Sequence, residues 1–154
     1  MEICSKTIPD QKLAIINYKG PITDLDILVS KLMGWVDSEE VAVDGEPFII
    51  YYSQRYAVNE GDAVFDVGIS ILDDDAEESD MVRVVDLVSH EVLSGKHIGD
   101  NETIMESYEK MVEYADANNF DVIGSPKEIL IKSKYNANEG EEFITEIQLP
   151  IIKM

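Results

Sequence analysis

Residues 124–133 read GSPKEILIKS, a glycine-proline turn followed by a strand-like run that contains one acid, Glu128. A related stretch, GEPFIIYYS, occupies residues 45–53, which is 79 positions earlier. Gly and Pro interrupt regular structure, whereas β-branched and aromatic residues favour strands. The two stretches therefore predict two equivalent strands, each opened by the same kind of turn.

The similarity extends outward from these turns over most of the chain. With the offset of 79, residues 2–53 align with residues 81–132 without a gap, and a Gly-x-Pro turn recurs in each copy. The identical pairs are Gly20/Gly99, Lys31/Lys110, Asp37/Asp116, Val43/Val122, Gly45/Gly124, Pro47/Pro126 and Ile50/Ile129. A fixed-period repeat indicates a duplicated unit. We expect one domain with a first copy at about 1–72, an acidic linker at 73–80 and a second copy at about 81–154.

Each copy shows the pattern β-α-β-β. The first has strands at 12–18, 48–53 and 64–72 and a helix capped by Thr23; the second has a strand ending at His97, a helix capped by Asp100, and strands at 127–133 and 143–149. Two such units are expected to pair about a pseudo-twofold axis into one α+β domain with a ligand cleft between the copies.

Composition excludes several classes of partner. The 154 residues include 12 Lys and Arg against 32 Asp and Glu, a formal charge of −20, which disfavours direct binding of nucleic acid. One cysteine, Cys4, needs no oxidising compartment, and no apolar run approaches the roughly 18 residues of a membrane helix. We expect a soluble, cytoplasmic protein that binds no membrane; the sequence does not indicate its oligomeric state.

Motifs of common enzymes and metal sites are missing. No G-x-S-x-G sequence or phosphate-binding glycine loop occurs, and neither a cofactor nor a metal ion is expected. His90 and His97 lack further ligands at metal-binding spacing, so we expect histidines at the surface or the edge of the core. The run 73–75 is three aspartates without the spacing of a calcium loop, and it is interpreted as solvated linker.

Strand alternation suggests where a site lies. In 127–133, Ile129 and Ile131 are expected to pack under the helix, which leaves Glu128 on the opposite face. The same reasoning places the other candidate lining residues on that face of their strands: Leu130, Glu146, Gln148, Ile49, Tyr51 and Asp66. An acid enclosed among apolar groups needs a cation or a raised pKa. The alternative is that these acids are ordinary solvated side chains.

Four short motifs, taken in order, resemble one known family. They are His97-x-Gly99, Ser107-Tyr108, Gly124-x-Pro126-x-Glu128 and the final run from Thr145 to Ile151, TEIQLPI. They resemble the GyrI-like small-molecule-binding domains, which also form the effector-binding halves of multidrug-responsive transcription activators. The similarity covers nearly the whole chain.

The resemblance implies a duplicated domain that binds hydrophobic, often cationic compounds in a central cleft. It implies that Glu128 is the central glutamate and Glu146 a second pocket acid. Some stand-alone members resemble hydrolases that open strained cyclopropane rings. The chain departs from the family at Leu130, where Tyr is usual, and at Ile22 and Asn101, where an aromatic residue is common.

Three functions follow from these observations. The first is a stand-alone binding protein for hydrophobic cations, with Glu128 as counter-charge, Glu146 as its partner, and Tyr51 and Leu130 as walls. The second is a hydrolase in which Glu128 is the general acid or base and a pocket Tyr assists. The third is a protein-interaction module whose negative charge engages a basic partner such as a topoisomerase, as in a gyrase modulator. Whether the protein is an enzyme stays open.

Overall fold

The computed structural model describes residues 1–53, 63–72 and 76–154. Within these ranges the chain forms antiparallel strands and two α-helices, which confirms the α+β class. The strands are β1 Ile3–Ile8, β2 Gln11–Gly20, β3 Phe48–Tyr51, β4 Ala63–Ile71, β5 Arg83–Leu87, β6 His90–Ile98, β7 Phe120–Val122, β8 Lys127–Lys132 and β9 Ile144–Lys153. The helices are α1 Leu25–Ser38 and α2 Ile104–Ala117.

The contacts divide the chain into two compact units. Unit I is Pro9–Val88, and unit II is Met1–Ile8 together with Ser89–Met154. These bounds follow contacts in space, and the copy boundaries derived from the repeat stay a prediction.

Unit I has the strand order β3-β4-β2-β5, with α1 packed against β2 and β4. The helical spacing of apolar residues predicts one buried stripe on α1. Its members Leu28, Val29, Leu32, Trp35 and Val36 are buried, whereas Leu25, at the start of the stripe, is only partly buried. The Trp35 indole Nε1 also donates a 3.0 Å hydrogen bond to the carbonyl of Glu77, which attaches the segment after β4 to the helix.

Unit II has the strand order β1-β6-β9-β8, and β7 pairs with the end of β9. Its core joins the inner face of α2 to one face of the sheet. The buried members of this cluster are Leu93, Ile104, Met111, Ala115, Ile147, Leu149 and Ile151. The helical spacing of apolar residues along α2 predicts that Val112 is buried beside Met111, but Val112 is 48% exposed.

Three strands were not predicted, and two of them have a notable pairing. β1 pairs with β6 in unit II, so residues 3–8 complete a sheet whose other strands lie between residues 90 and 153. β5 pairs with β2 in unit I. Because edge strands are short and partly exposed, they carry a weak hydrophobic signal, and β1, β5 and β7 were missed for this reason.

The helix starts differ in part from the expected caps. Thr23 lies within a 3-10 turn, Ile22–Asp24, and no side chain caps α1, so the predicted Thr23 cap is wrong. Asp100 does act as a cap: its Oδ1 accepts a 3.1 Å hydrogen bond from the Glu102 N–H at the 3-10 turn that precedes α2. Among the described residues, every helix is too short or too polar to traverse a lipid bilayer.

Candidate ligand-binding site

Glu128 is a buried carboxylate in the interior of unit II. Glu128 is only 1% exposed, and the Tyr108 hydroxyl on α2 donates a 2.6 Å hydrogen bond to Glu128 Oε2. A buried carboxylate loses solvation worth several kcal/mol, and a charge-assisted hydrogen bond offsets part of that loss. The helical spacing of apolar residues along α2 predicts a core position for Tyr108, and its ring does pack against the core cluster. The spacing does not predict that its hydroxyl reaches Glu128.

The register of β8 places Glu128 on the helix side of the sheet. Glu128 lies opposite Ile147, and Leu130 lies opposite Thr145, on β9. Ile147 belongs to the core cluster with α2, and directly opposed residues of paired strands share a face. The prediction that Glu128 and Leu130 face away from the helices is therefore wrong. It assumed that isoleucines must be the core residues, whereas Ile129 and Ile131 are only partly buried and a phenol is available to Glu128.

Glu146 lies on the other face of the same sheet. Its neighbours Ile147 and Leu149 pack under α2, so alternation directs Glu146 and Gln148 away from the helix, as the sequence predicted. The two candidate site acids of unit II, Glu128 and Glu146, thus lie on opposite faces of the sheet. Their roles as ligand-binding residues stay predictions.

Three donors surround the Glu146 carboxylate. Oε2 accepts hydrogen bonds from Gln148 Nε2 at 2.7 Å and Ser94 Oγ at 2.9 Å, and Lys6 Nζ lies 2.7 Å away. Burial raises the pKa of Glu146, but the hydrogen bonds from Gln148, Lys6 and Ser94 and the charge of Lys6 outweigh it, so the pKa is below its ordinary value. Glu146 is therefore ionised at neutral pH and already paired with a cation.

Lys127 shares this face and was not predicted as a site residue. It opens β8 opposite Gln148 and is 9% exposed. Burial lowers the pKa of Lys127, although the negative charge of Glu146 opposes that effect. The face of the sheet away from α2 thus carries Lys6 and Lys127 beside the Glu146 carboxylate, and Lys96 on β6 lies opposite Glu146 on the same face. Once the pairing register of β8 is known, strand alternation places Lys127 on the same face as Glu146 and Gln148.

In unit I, Asp66 on β4 is a second enclosed acid. It is 3% exposed, and it accepts hydrogen bonds from Asn17 Nδ2 at 2.8 Å and from the Tyr52 hydroxyl at 2.5 Å. Burial, followed by the hydrogen bond to Asp66, raises the pKa of the Tyr52 hydroxyl well above its usual range. Neither Asn17 nor Tyr52 was expected at the site.

The expectation that Ile49, Tyr51 and Asp66 share a face is wrong. Ile49 lies opposite Val67 and Tyr51 opposite Phe65, whereas Asp66 lies opposite Ile50. Since alternate residues point to opposite faces, Asp66 is on one side of the sheet, and Ile49 and Tyr51 are on the other. Both of these apolar-face residues are buried, at 2% and 5% exposure.

His97 is a buried structural histidine of unit II. It is 5% exposed, its Nδ1 lies 2.8 Å from the Ser107 Oγ on α2, and its Nε2 lies 2.8 Å from the carbonyl oxygen of Asp100. The carbonyl can only accept, so Nε2 carries the proton and Nδ1 accepts from Ser107. His97 thereby fixes the start of α2, and it is deeper than the surface or core-edge position that was expected.

Within the described ranges, no three or more His, Cys, Asp or Glu side chains converge where a metal ion could sit. Asp73, Asp74 and Asp75 lie outside the described residues.

Comparisons with solved structures give the same fold for several proteins. The C-terminal domain of EcmrR matches with a TM-score of 0.85 at 17% identity, over 99% of this chain and 98% of that one. A hydrolase from Listeria innocua matches with a TM-score of 0.72 at 15% identity, over 98% and 92%. SAV2435 bound to tetraphenylphosphonium matches with a TM-score of 0.61 at 14% identity, over 99% and 94%.

No curated protein matches the chain by sequence. The family model described as the GyrI-like small molecule binding domain matches residues 1–152, almost the whole chain. This match confirms that the four motifs resemble this family. The chain therefore belongs to the GyrI-like small molecule binding domain family.

Proposed function

We propose that this protein binds hydrophobic cations and that the Glu128 carboxylate is the counter-charge. The observation that carries the proposal is the burial of Glu128, which is 1% exposed with a phenol as hydrogen-bond donor. A phenol donates a hydrogen bond without adding positive charge, so this contact leaves the charge of an ionised Glu128 in place. A cation beside it would recover electrostatic energy that burial has cost.

Glu146 is a weaker choice of counter-charge than Glu128. Its oxygen already lies 2.7 Å from the Lys6 ammonium, and Lys127 adds a second cationic group to the same face. A ligand cation approaching Glu146 would meet these two lysines and Lys96, which lies opposite Glu146 on β6. We propose that Glu146 and Gln148 are binding residues on the sheet face away from α2. Further candidate binding residues are Leu130, Ile49, Tyr51 and Asp66.

A structural relative supports the class of ligand. SAV2435 has been solved with tetraphenylphosphonium, a large aromatic cation. Its identity to this chain, 14%, establishes a common fold only, so the ligand class is carried over as part of the proposal. Aromatic cations gain from both apolar burial and cation-π contacts, each of the latter worth roughly 0.5–2 kcal/mol.

Calorimetry with three matched ligands tests this proposal. Tetraphenylphosphonium is the cation, tetraphenylborate is an anion of the same shape, and triphenylphosphine oxide is neutral. We expect the cation to bind best and Glu128→Gln to weaken it by about 2–5 kcal/mol, roughly 30-fold or more in Kd. The neutral ligand should change by less than threefold. Glu106→Gln, an exposed acid on α2, is the control and should bind the cation as the unaltered protein does.

Equal losses for the cation and the neutral ligand in Glu128→Gln would contradict a charge role. A preference for tetraphenylborate in the unaltered protein would reject cation binding altogether. The Gln side chain retains an oxygen that can accept from Tyr108, so the variant is expected to fold.

We also propose that the two halves arose by duplication. The cross-strand pairs Ile49↔Val67 in unit I and Glu128↔Ile147 in unit II correspond under the sequence offsets of 79 and 80. Under the offset of 79, β1 corresponds to β5 and β6 corresponds to β2. The pairing of β1 with β6 in unit II is therefore equivalent to the pairing of β5 with β2 in unit I. Matching register in both units supports a common origin.

A hydrolase is the second candidate, favoured by the contact between Tyr108 and Glu128. A carboxyl and a phenol 2.6 Å apart form a pair that can pass a proton to or from a ligand. Structures described as hydrolases from Listeria innocua share the fold. Mass spectrometry after incubation with a cyclopropane-bearing electrophile tests this candidate: a hydrated product lost in Glu128→Gln supports turnover, whereas an unchanged electrophile with intact cation binding rejects it.

A further inference from the structure

The Glu146 carboxylate holds an ammonium group that belongs to the protein itself. Lys6 Nζ lies 2.7 Å from Glu146 Oε2, and the same oxygen accepts hydrogen bonds from Ser94 Oγ at 2.9 Å and from Gln148 Nε2 at 2.7 Å. Hydrogen bonds from an ammonium to a carboxylate are about 2.7–2.9 Å long, so Lys6 donates directly to the acid. The two neutral donors hold the carboxylate in the orientation that receives this ammonium.

The groups around this ion pair lie on one face of the unit II sheet. Ser94 on β6 lies opposite Gln148 on β9, and Glu146 is two positions before Gln148, so strand alternation puts these three residues on the same face. Lys6 on β1 lies opposite Val92, which is two positions before Ser94, so Lys6 shares that face. This is the face away from α2, and all four polar side chains converge on it.

The Lys6 side chain crosses a strand to reach Glu146. β6 lies between β1 and β9 in the strand order, and Lys6 is opposite Val92, whereas Glu146 is opposite Lys96, four residues further along β6. Lys96 is therefore closer to Glu146 in register, yet the ion pair with Glu146 is formed by Lys6. The Lys6 side chain thus lies across the sheet face in front of the acid.

The side of the carboxylate on which Lys6 lies is open to solvent. The Lys6 side chain is 41% exposed, whereas the Glu146 side chain is 11% exposed. Lys6 belongs to β1, an edge strand that pairs only with β6. Holding a long, exposed lysine side chain in one position costs conformational entropy, so a free ammonium compound can compete with Lys6 for Glu146.

We propose that Glu146 is the acid of a binding site for primary alkylammonium compounds, and that Lys6 is the internal occupant of this site and closes it to other cations. Displacement of Lys6 opens the site, and the ammonium of the ligand then donates to Glu146 in the place of Nζ. The site does not depend on Glu128, which lies on the opposite face of the sheet.

The other lysines on this face explain why the ligand needs N–H groups. Lys96 and Lys127 share the face with Glu146, so a cation placed there without direct contact to the acid is repelled. A primary ammonium carries three N–H donors and can approach the carboxylate as closely as Lys6 does. Tetramethylammonium has no N–H donor and is excluded from that contact.

Nuclear magnetic resonance titration of the full chain with n-butylammonium chloride at constant ionic strength tests this site. Lys6→Met removes the charge and keeps an unbranched side chain. In this variant we expect saturable shifts of the amide signals of Ser94, Glu146 and Gln148, with a Kd at least about tenfold lower than in the unaltered protein, because a hydrogen bond between charged groups becomes available. Lys6→Met/Glu146→Gln should lose this gain. Tetramethylammonium should not produce the shifts.

Lys96→Met is the matched control. It removes the same charge from the same face, directly opposite Glu146, but leaves the ion pair of Lys6 in place, so it should bind n-butylammonium as the unaltered protein does. The proposal is overturned if Lys96→Met gains as much affinity as Lys6→Met, if Lys6→Met gains none, or if the shifts persist after Glu146→Gln.

Two further measurements keep the outcome clear. If Lys6→Met is unfolded on its own, n-butylammonium should restore its fold and 1-butanol should not; a failure to restore the fold contradicts the proposal. Glu128→Gln in the Lys6→Met background should leave n-butylammonium binding unchanged, and a loss there would assign the ligand to Glu128. Because tetraphenylphosphonium is not used here, either proposed site can fail without the other.

Discussion

The Tyr108 hydroxyl donates a 2.6 Å hydrogen bond to Glu128 Oε2, and this contact ties α2 to β8 within unit II. The two residues are 20 positions apart; α2 contributes three residues to the core cluster, and β8 pairs with β9, which contributes three more. One contact therefore satisfies a buried acid and orients a helix on its sheet. It is also the contact on which both proposed functions depend.

Replacing Tyr108 with Phe is expected to destabilise the protein by about 1–3 kcal/mol. The change keeps the ring but removes a donor from a carboxylate that is 1% exposed, and an under-satisfied buried acceptor costs about this much. Urea unfolding measures the loss. Tyr114→Phe, on the same helix, is the control and should change stability by less than 0.5 kcal/mol, roughly the range of ordinary substitutions. If the Tyr108→Phe/Glu128→Gln double variant shows the simple sum of the two losses, the residues are not coupled.

Glu146 should make stability depend on acid pH. Although burial raises its pKa, the hydrogen bonds from Gln148, Lys6 and Ser94 lower it further than burial raises it, so the folded-state pKa is below the ordinary value of 4.5. Its stabilising contribution is thus present above about pH 5 and is lost as the pH falls through the folded pKa. The difference in unfolding free energy between the unaltered protein and Glu146→Gln should shrink between pH 6 and pH 3. A constant difference over that range would show that Glu146 does not titrate in this way.

Lys127 should titrate below an ordinary lysine. Burial lowers its pKa from 10.5, so the unfolded state binds more protons between the two pKa values, and the contribution of Lys127 to stability increases as the pH rises through that window. Since the Glu146 charge opposes the shift, Glu146→Gln should lower the pKa of Lys127 further. Heteronuclear magnetic resonance titration of the Lys127 side chain measures its pKa in the unaltered protein and in Glu146→Gln, and the exposed Lys110 serves as an internal reference. An unchanged Lys127 pKa in Glu146→Gln would exclude the coupling.

Replacing Gly68 and Gly34 with alanine should change the stability of the protein in opposite directions. A Cβ at Gly68 on β4 would lie 2.6 Å from the Phe48 ring and 2.9 Å from Ile15, so Gly68→Ala is expected to destabilise by about 1–3 kcal/mol through overpacking. A Cβ at Gly34 on α1 meets nothing within 4 Å, so Gly34→Ala should stabilise by roughly 0.5–1 kcal/mol. Thermal unfolding of both variants compares them. A stable Gly68→Ala protein would show that Phe48 moves aside readily.

The sequence predicted the buried face of an element correctly where its apolar residues recur with a clear period. On α1 the buried positions recur with the helical period, and on β9 Ile147 and Leu149 alternate with Glu146 and Gln148, so the core side of both elements was predicted correctly. On β8 the alternation of Glu128 with Ile129 and Leu130 gave two possible faces, and hydrophobicity favoured the wrong one. The deciding factor is the Tyr108 hydroxyl on another element, and the pairing register also changes between Leu130 and Lys132.

The polar partners of the buried acids were the least predictable part of the site. Lys6, Ser94 and Tyr52 come from strands and turns distant in sequence from the acids that they contact. A single sequence records no such pairs, because each depends on the register between two strands. The acids themselves, Glu128, Glu146 and Asp66, could be named because a carboxylate within an apolar strand is conspicuous.

The pairing of β1 with β6 has a consequence for how the chain is synthesised. Ile3 is translated before its strand partner Gly95, and the whole of unit I is synthesised between them. Throughout that interval the N-terminal strand has an unsatisfied backbone edge on a nascent polypeptide. During translation, β1 can therefore join the sheet of unit II only after unit I has been synthesised, so the pairing of β1 with β6 is a late step in completing unit II.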